Sequence, residues 1–227
     1  MSSDLRMVIF DVDGTLVDSQ GDILAAMGMA FASIDQPAPT RADVLGIVGL
    51  SLDVAMPRLA PDLGAADHEQ LVTGYKASYA ELRTKTGAAQ SSPLYPGALE
   101  TLRILHAQPE LLLGVATGKS RRGLDKLIEA HGLDGLFVTQ QVADTHPSKP
   151  HPSMLLEAMA ETGLEPHQTL MVGDTTYDME MAAAAGVPFI GVSWGYHPAS
   201  ALHHAVHVLD HFDALPELVA QIWRNTA

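Results

Sequence analysis

The sequence has 227 residues, 47% of them hydrophobic, with 13 Lys and Arg against 27 Asp and Glu, a formal charge of −14 and no cysteine. This length fits one large domain or a core with a smaller module. The charge argues against nucleic acid or anionic lipid as partners, the missing cysteines exclude disulfides and thiolate catalysis, and an anionic substrate would need a local positive site or a cation.

The N-terminal stretch "MSSDLRMVIFDVDG" shows no basic region leading into a long apolar one, so no signal peptide is expected. Met7 to Phe10 reads as a short buried strand. From about Ser19 to Tyr79 the chain reads as helical throughout. "DILAAMGMAFASI" is apolar all round and so well buried. "TRADVLGIVG" opens on a capping box of Thr40 and Asp43 and stops near glycine. "HEQLVTGYKASYAELR" gives a third helix, and "GAAQSSPLYPG" a breaker-rich linker.

The pattern then changes. A helix over Ala98–His106 leads to a strand, "LLLGVA", at Leu111–Ala116. The helix "SRRGLDKLIEAHG" ends at Gly132, and a short strand is expected near Phe137–Thr139. Pro152 suits the first turn of a helix that stops at Gly163. "TLMVG", "YDMEMAAAAG", "PFIGVSW", a short strand near Val206–Leu209 and "LPELVAQIWRN" complete the alternation. The longest apolar-looking stretch, Met181–Gly195, is interrupted by Gly186, Pro188 and Gly191 and is too short to span a bilayer.

Strands alternating with helices predict an α/β fold with a parallel, Rossmann-like sheet covered on both faces. Residues 17–92 interrupt the alternation and read as an inserted helical module between core segments 1–16 and 93–227.

In such a sheet ligands bind beyond the carboxyl ends of the strands. Asp11, Asp13, Gly14 and Thr15 follow the first apolar run; Thr117, Gly118, Lys119 and Ser120 follow "LLLGVA"; Gly173, Asp174, Thr175 and then Asp178 follow "TLMV". Lys149 stands in "SKPHP", where Pro150 favours an extended backbone. Each alone has an ordinary reading: an Asp at a strand end caps a turn, and a lone Lys is solvated. Together, carboxylates converging from neighbouring strands repel, and one would take up a proton unless a cation compensates. A hard divalent cation such as Mg²⁺, which takes carboxylates together with phosphate oxygen and water, meets that need.

"DVDGTLVDS", "VATGKS", "SKPHP" and "VGDTTYDME" resemble, in order and spacing, the four motifs of the haloacid dehalogenase superfamily of phosphohydrolases, over nearly the whole chain. The similarity is nearest to the phosphoglycolate phosphatase-like branch, whose cap loop "GLSL" at Gly49–Leu52 resembles. The resemblance implies a helical cap on the core and a Mg²⁺-dependent phosphatase acting on a small phosphorylated metabolite such as 2-phosphoglycolate. Asp11 would be the nucleophile that forms an aspartyl-phosphate, and Asp13 the acid and then the base. Thr117 and Lys149 would hold the phosphoryl oxygens, with Gly14 and Gly118 beside them and Leu50 and Ser51 reading the rest of the substrate. Asp11, Asp13 (through its carbonyl), Asp174 and Asp178 would form and orient the Mg²⁺ shell. A cytoplasmic monomer or homodimer is the matching expectation.

Two departures stand out. The residue after the motif threonine is often asparagine in this branch and is Gly118 here. Lys119, the next positive group, could face substrate or solvent; it reads first as solvent-facing or as part of the loop structure, and second as facing substrate. Among rival readings, "GVATGKS" places three residues between Gly114 and Gly118 where a P-loop needs four, so an ATP-binding site is not expected. Asp13 supplies the acid a leaving ester needs and a halide does not, which disfavours a dehalogenase. A sugar-phosphate mutase shares the core residues. A phosphate-sensing protein on the same fold would be expected to have lost Asp11, Asp13 or Lys149. His203, His207 and His211 have a helical spacing, but "HVLDHFD" reads as strand and turn, so surface histidines are expected. Met27, Met29, Met179 and Met181 read as packing.

Overall fold

The computed structural model describes residues 5–224. The readings that fall on Met1–Asp4 and on Asn225, the last residue of the expected final helix, therefore lie outside the described residues. Six strands, β1 (Arg6–Phe10), β2 (Leu111–Thr117), β3 (Thr139–Val142), β4 (Thr169–Gly173), β5 (Phe189–Val192) and β6 (His207–Leu209), form one parallel sheet in the order β3-β2-β1-β4-β5-β6. The order reverses at β1, whose neighbours on either side are β2 and β4. The carboxyl ends of these three strands thus open onto one crevice.

Alternation along β1 divides its side chains between two cores. Val8 and Phe10 pack with Leu113, Val115, Leu170 and Val172 under helices α6 (Ala98–His106), α7 (Arg121–His131) and α10 (Leu215–Arg224). Met7 and Ile9 pack on the opposite face with Met171 and with α8 (Ser153–Thr162) and α9 (Thr176–Ala185). The central strand is buried on both faces, which explains its unbroken apolar run.

A third apolar cluster joins α1 (Gln20–Ala32), α2 (Arg41–Leu45), α3 (Leu52–Leu59) and α4 (Ala65–Thr86) through Ile23, Met27, Phe31, Val44, Met56 and Leu71. The three helices read from the sequence in this region correspond to α1, α2 and α4, and α3 is a further helix that the reading did not separate. Pro37 and Pro39 separate α1 from α2, Gly46 and Gly49 separate α2 from α3, and Pro61 and Gly64 separate α3 from α4. The Thr40–Asp43 cap forms as expected: Thr40 Oγ1 accepts the Asp43 N–H at 3.2 Å and donates to Asp43 Oδ2 at 2.6 Å. The linker after α4 holds a further single turn, α5 (Ala88–Ser91).

The chain leaves and re-enters the sheet domain at one place. Val17 and Leu94 form an antiparallel bridge, flanked by Asp18 N–H to Pro93 O and Tyr95 N–H to Leu16 O, both 2.9 Å.

Other differences from the sequence reading are small and physical. β3 begins at Thr139, two residues later than expected, and carries Gln140 and Gln141, whose polarity hid it. Its polar groups are satisfied by a neighbour: Thr139 Oγ1 and Gln141 Nε2 donate to Glu161 at 2.5 and 2.8 Å. Pro152 caps α8 rather than lying in its first turn. Met27, Met179 and Met181 are core residues, whereas Met29 faces solvent. His203, His204, His207 and His211 are exposed, with His207 on β6, so the helical register among them does not exist.

Candidate active site

Asp11 is the first residue beyond β1, and its N–H donates to Val172 O of β4 at 2.9 Å. Asp174 follows β4, and Asp178 lies on the first turn of α9. All three are buried, and they offer oxygens that lie within 4.8 Å of one another. Lys149 is equally buried and bridges two of them: its Nζ donates to Asp11 Oδ1 and to Asp178 Oδ1, each at 2.6 Å. Asp178 Oδ2 accepts from Thr175 N–H and Oγ1, the capping box that opens α9. Asp174 Oδ1 accepts from Thr15 Oγ1 at 2.9 Å, and its Oδ2 accepts from Tyr196 N–H at 2.8 Å. Asp11 Oδ2 is buried with no partner.

Three carboxylates and one ammonium in a buried site leave an excess of negative charge. Burial pushes the Asp11 carboxyl up to about 7; Lys149 opposes this, while Asp178 and Asp13 add to it. Burial also raises Asp174 well above the usual carboxylate range, with Asp11 and Asp178 reinforcing the shift. Burial would lower Lys149, but Asp11 and Asp178 outweigh it and keep the ammonium charged. An all-oxygen donor set, excess negative charge and an orphaned Asp11 oxygen fit a hard divalent cation.

Asp13 stands apart from this cluster. Its Oδ1 accepts from Lys119 Nζ at 2.6 Å and from Ser19 Oγ, which also contacts the Tyr196 hydroxyl at 3.2 Å. Lys119 therefore does not face solvent, as the sequence reading expected. Its side chain is 9% exposed and paired with Asp13. Burial would lower this ammonium, but Asp13 outweighs burial and raises it.

Gly14 is required where the loop passes Asp174. Its φ is +86°, and a Cβ there would come within 2.3 Å of Asp174 Oδ2. Its own N–H is taken by Val17 O at 2.9 Å, so the close approach this glycine permits is to a carboxylate. Thr117, buried at the end of β2, accepts the Lys119 N–H on Oγ1 at 3.2 Å.

Above these residues lies a cavity of about 850 Å³ whose walls include Asp11, Asp13, Thr117 and Gly118 from the sheet side and Leu50, Ser51 and Tyr79 from the helical insert. The Ser51 N–H is anchored to Ser148 Oγ at 2.9 Å, while its own Oγ is buried without a partner. The structure thus brings Asp11, Asp13, Gly14, Thr117, Gly118, Lys149, Asp174 and Asp178 to this one end of the sheet, with Leu50 and Ser51 above them. The sequence reading did not single out Ser19, Tyr79, Arg83, Ser148 or Tyr196. Only Thr175, with Asp178 three residues on, had a readable signal, the capping pattern of "TTYD".

A model of the family described as haloacid dehalogenase-like hydrolase matches residues 8–192. A protein from Dickeya dadantii named Probable phosphatase IndB is 37% identical over 202 residues, covering 88% of this chain and 86% of that one. A Yersinia pestis phosphoglycolate phosphatase is 35% identical over 218 residues, covering 94% of this chain and 93% of its own. Among solved structures, a predicted phosphoglycolate phosphatase from Haemophilus somnus 129pt superposes with a TM-score of 0.83 at 26% identity, covering 96% of this chain and all of that one.

Proposed function

From the premise that this chain belongs to the haloacid dehalogenase-like hydrolases and is a phosphatase, we propose that it hydrolyses a small phosphomonoester of the 2-phosphoglycolate type through an aspartyl-phosphate on Asp11, with Mg²⁺ as cofactor. The observation that carries the reading is the partnering of the two motif carboxylates. Asp11 is held by Lys149 within the acidic cluster, and Asp13 is held outside it by Ser19 and Lys119. Two carboxylates in different settings can take different roles.

In the first step a carboxylate oxygen of Asp11 attacks phosphorus, and the bond from phosphorus to the ester oxygen breaks. Asp13 gives its proton to the departing alkoxide. In the second step Asp13 takes a proton from water, the resulting hydroxide attacks phosphorus, and the bond to Asp11 breaks, releasing inorganic phosphate. The Thr117 hydroxyl and the Lys149 ammonium hold the phosphoryl oxygens and offset charge that grows in the transition state. Asp11, Asp174 and the carbonyl of Asp13 would hold Mg²⁺, with Asp178 orienting the set; the ion supplies positive charge to the transferring phosphoryl group. Lys149 serves twice, since it also keeps Asp11 and Asp178 in place.

The substrate class is supported by the names of the relatives and by the size of the cavity over Asp11. Residues 17–92 act as the cap, and Leu50 and Ser51 read the part of the substrate that is not phosphate. Among the described residues no helix is long and apolar enough to cross a membrane.

The test is phosphate release from 2-phosphoglycolate, glycerol 3-phosphate and p-nitrophenyl phosphate, with Mg²⁺ and with EDTA. Activity that survives chelation removes the metal assignment. Conversion of a hexose 1-phosphate to its 6-phosphate without free phosphate replaces the hydrolase reading with a mutase. Relative rates unchanged by Leu50→Ala and Ser51→Ala remove the cap-loop assignment.

A further inference from the structure

Four described side-chain atoms are buried without a hydrogen-bond partner, and three of them belong to residues that line the cavity over Asp11: Asp11 Oδ2, Ser51 Oγ and Arg83 Nη2. The first is answered by the cation and phosphate chemistry above. The other two are not. Arg83 lies on α4, and its Nη1 donates to Gly123 O at 3.3 Å, which fixes the guanidinium while Nη2 is left over. A guanidinium cannot give up its charge, so a buried N–H of this kind calls for an acceptor.

A second cation stands nearby. The Arg83 Cζ is 5.8 Å and the Lys119 Nζ 5.3 Å from the centre of the same ring, Tyr79. Two like charges at one ring repel each other, and an anion placed with them relieves that. The wider wall agrees. The whole chain has 13 Lys and Arg at a net charge of −14, yet Lys76, Arg83, Lys119, Arg122 and Lys126 all line this cavity. Asp53 and Asp144 also line it, but neither is bonded to Arg83 or Lys119 in any hydrogen bond of the structure. Lys119 reaches Asp13, so this cationic pair adjoins the place where the ester bond would break.

We propose that Arg83 and Lys119, at the Tyr79 ring, form a receptor for a second anionic group on the organic part of the substrate, so that the enzyme selects phosphomonoesters carrying a further carboxylate or phosphate. The unpartnered Ser51 hydroxyl serves as a neutral donor within the same cavity. This rests on the phosphatase reading for the position of the first phosphate and adds what lies at the other end. Arginine suits the task because its planar fork meets either anion with two parallel hydrogen bonds.

The test uses three non-hydrolysable probes of equal chain length, namely propylphosphonate, 3-phosphonopropionate and propane-1,3-diylbisphosphonate. Their binding to the Mg²⁺-loaded protein is measured by calorimetry and by inhibition of p-nitrophenyl phosphate hydrolysis. At least one of the two probes with a second acidic group should bind about tenfold or more tightly than propylphosphonate, as expected for a charge-assisted hydrogen bond. Which of the two gains identifies carboxylate or phosphate as the natural group. In Arg83→Ala the ratio should fall towards one, and Arg83→Lys should restore part of it. A ratio near one in the wild-type protein, or a ratio untouched in a folded Arg83→Ala, overturns the proposal. If Arg83→Ala does not fold, the wild-type ratio and that of Lys119→Met decide, and equal affinities for all three probes overturn it. Failure of the phosphatase reading looks different, because p-nitrophenyl phosphate would then not be hydrolysed, whatever the calorimetric ratio.

Discussion

Gly118 lies directly beneath the cap loop: a Cβ at this position would stand 2.7 Å from the Gly49 carbonyl oxygen and 3.1 Å from that of Leu50. The absence of a side chain after Thr117 is therefore a packing requirement. It lets the loop that carries Leu50 and Ser51 close onto the end of β2.

Gly118→Asn should force that loop away, since backbone cannot yield as a flexible side chain can. Overpacking of this kind costs about 1–3 kcal/mol. The expected result is a raised KM and a changed order of preference among esters, with p-nitrophenyl phosphate least affected. Steady-state kinetics on three esters, with a thermal melt alongside, checks it; wild-type selectivity in the variant would show that the loop has room.

The separate settings of Asp11 and Asp13 predict separable losses. Asp11→Asn should abolish phosphate release and any phosphoenzyme. Asp13→Ala should lose proton transfer, a contribution of roughly 10²–10⁴ in rate. That loss should be large for an alkyl ester and small for p-nitrophenyl phosphate, whose phenolate leaves without help. Single-turnover release of the leaving group measures it, and equal losses for the two esters would reverse the assignment.

Lys149 is the ion-pair partner of two buried carboxylates at once. Lys149→Met should destabilise the cation-free protein by about 3–5 kcal/mol, because it leaves Asp11 and Asp178 buried without their cation. Adding Asp178→Asn should return part of that loss, so the double variant should be more stable than the single one. Denaturant melts of both in EDTA test this, and additive losses would mean that the two side chains do not depend on each other.

Burial holds the Asp11 carboxyl near 7 in the cation-free protein, against an ordinary value of 3.8. A raised carboxylate favours the folded state when protonated, so its contribution is complete below about pH 4 and fades as pH rises through about 7. Asp174 shifts in the same direction. In the proposed site Mg²⁺ would have to displace these protons to bind. The rise in melting temperature on adding Mg²⁺ should therefore be larger at pH 8 than at pH 6, with proton release on binding detectable in weak buffer. A pH-independent rise would place the ion elsewhere.

What could be read from the sequence was what is local in the chain. Asp11 and Asp13, or Asp174 and Asp178, stand a few residues apart beyond an apolar run, and the strand fixes where they point. Lys119 was misjudged because its direction depends on Asp13, 106 positions away in sequence. Arg83 gave no signal, since α4 is largely polar and its meaning comes from Tyr79 and Lys119 beside it. The reason for Gly118 lies wholly in the opposing loop. β3 was displaced in the reading because its buried Gln141 is satisfied by Thr139, Glu161 and His146 rather than by an apolar neighbour.

The central position of β1 also bears on how the protein comes to be made. Of the six strands it leaves the ribosome before the others, and its partners β2 and β4 begin only at Leu111 and Thr169. Long-range strand pairing is slow, and nascent segments fold as their contacts become available. The helices of residues 20–86, whose apolar cluster is drawn mainly from their own stretch of chain, can assemble while β1 still lacks both neighbours. Asp11, the proposed nucleophile, is thus synthesised well before Lys149, Asp174 and Asp178, and its surroundings close only after Asp178 has emerged. A nascent chain stalled before β4 has emerged would leave one edge of β1 unpaired.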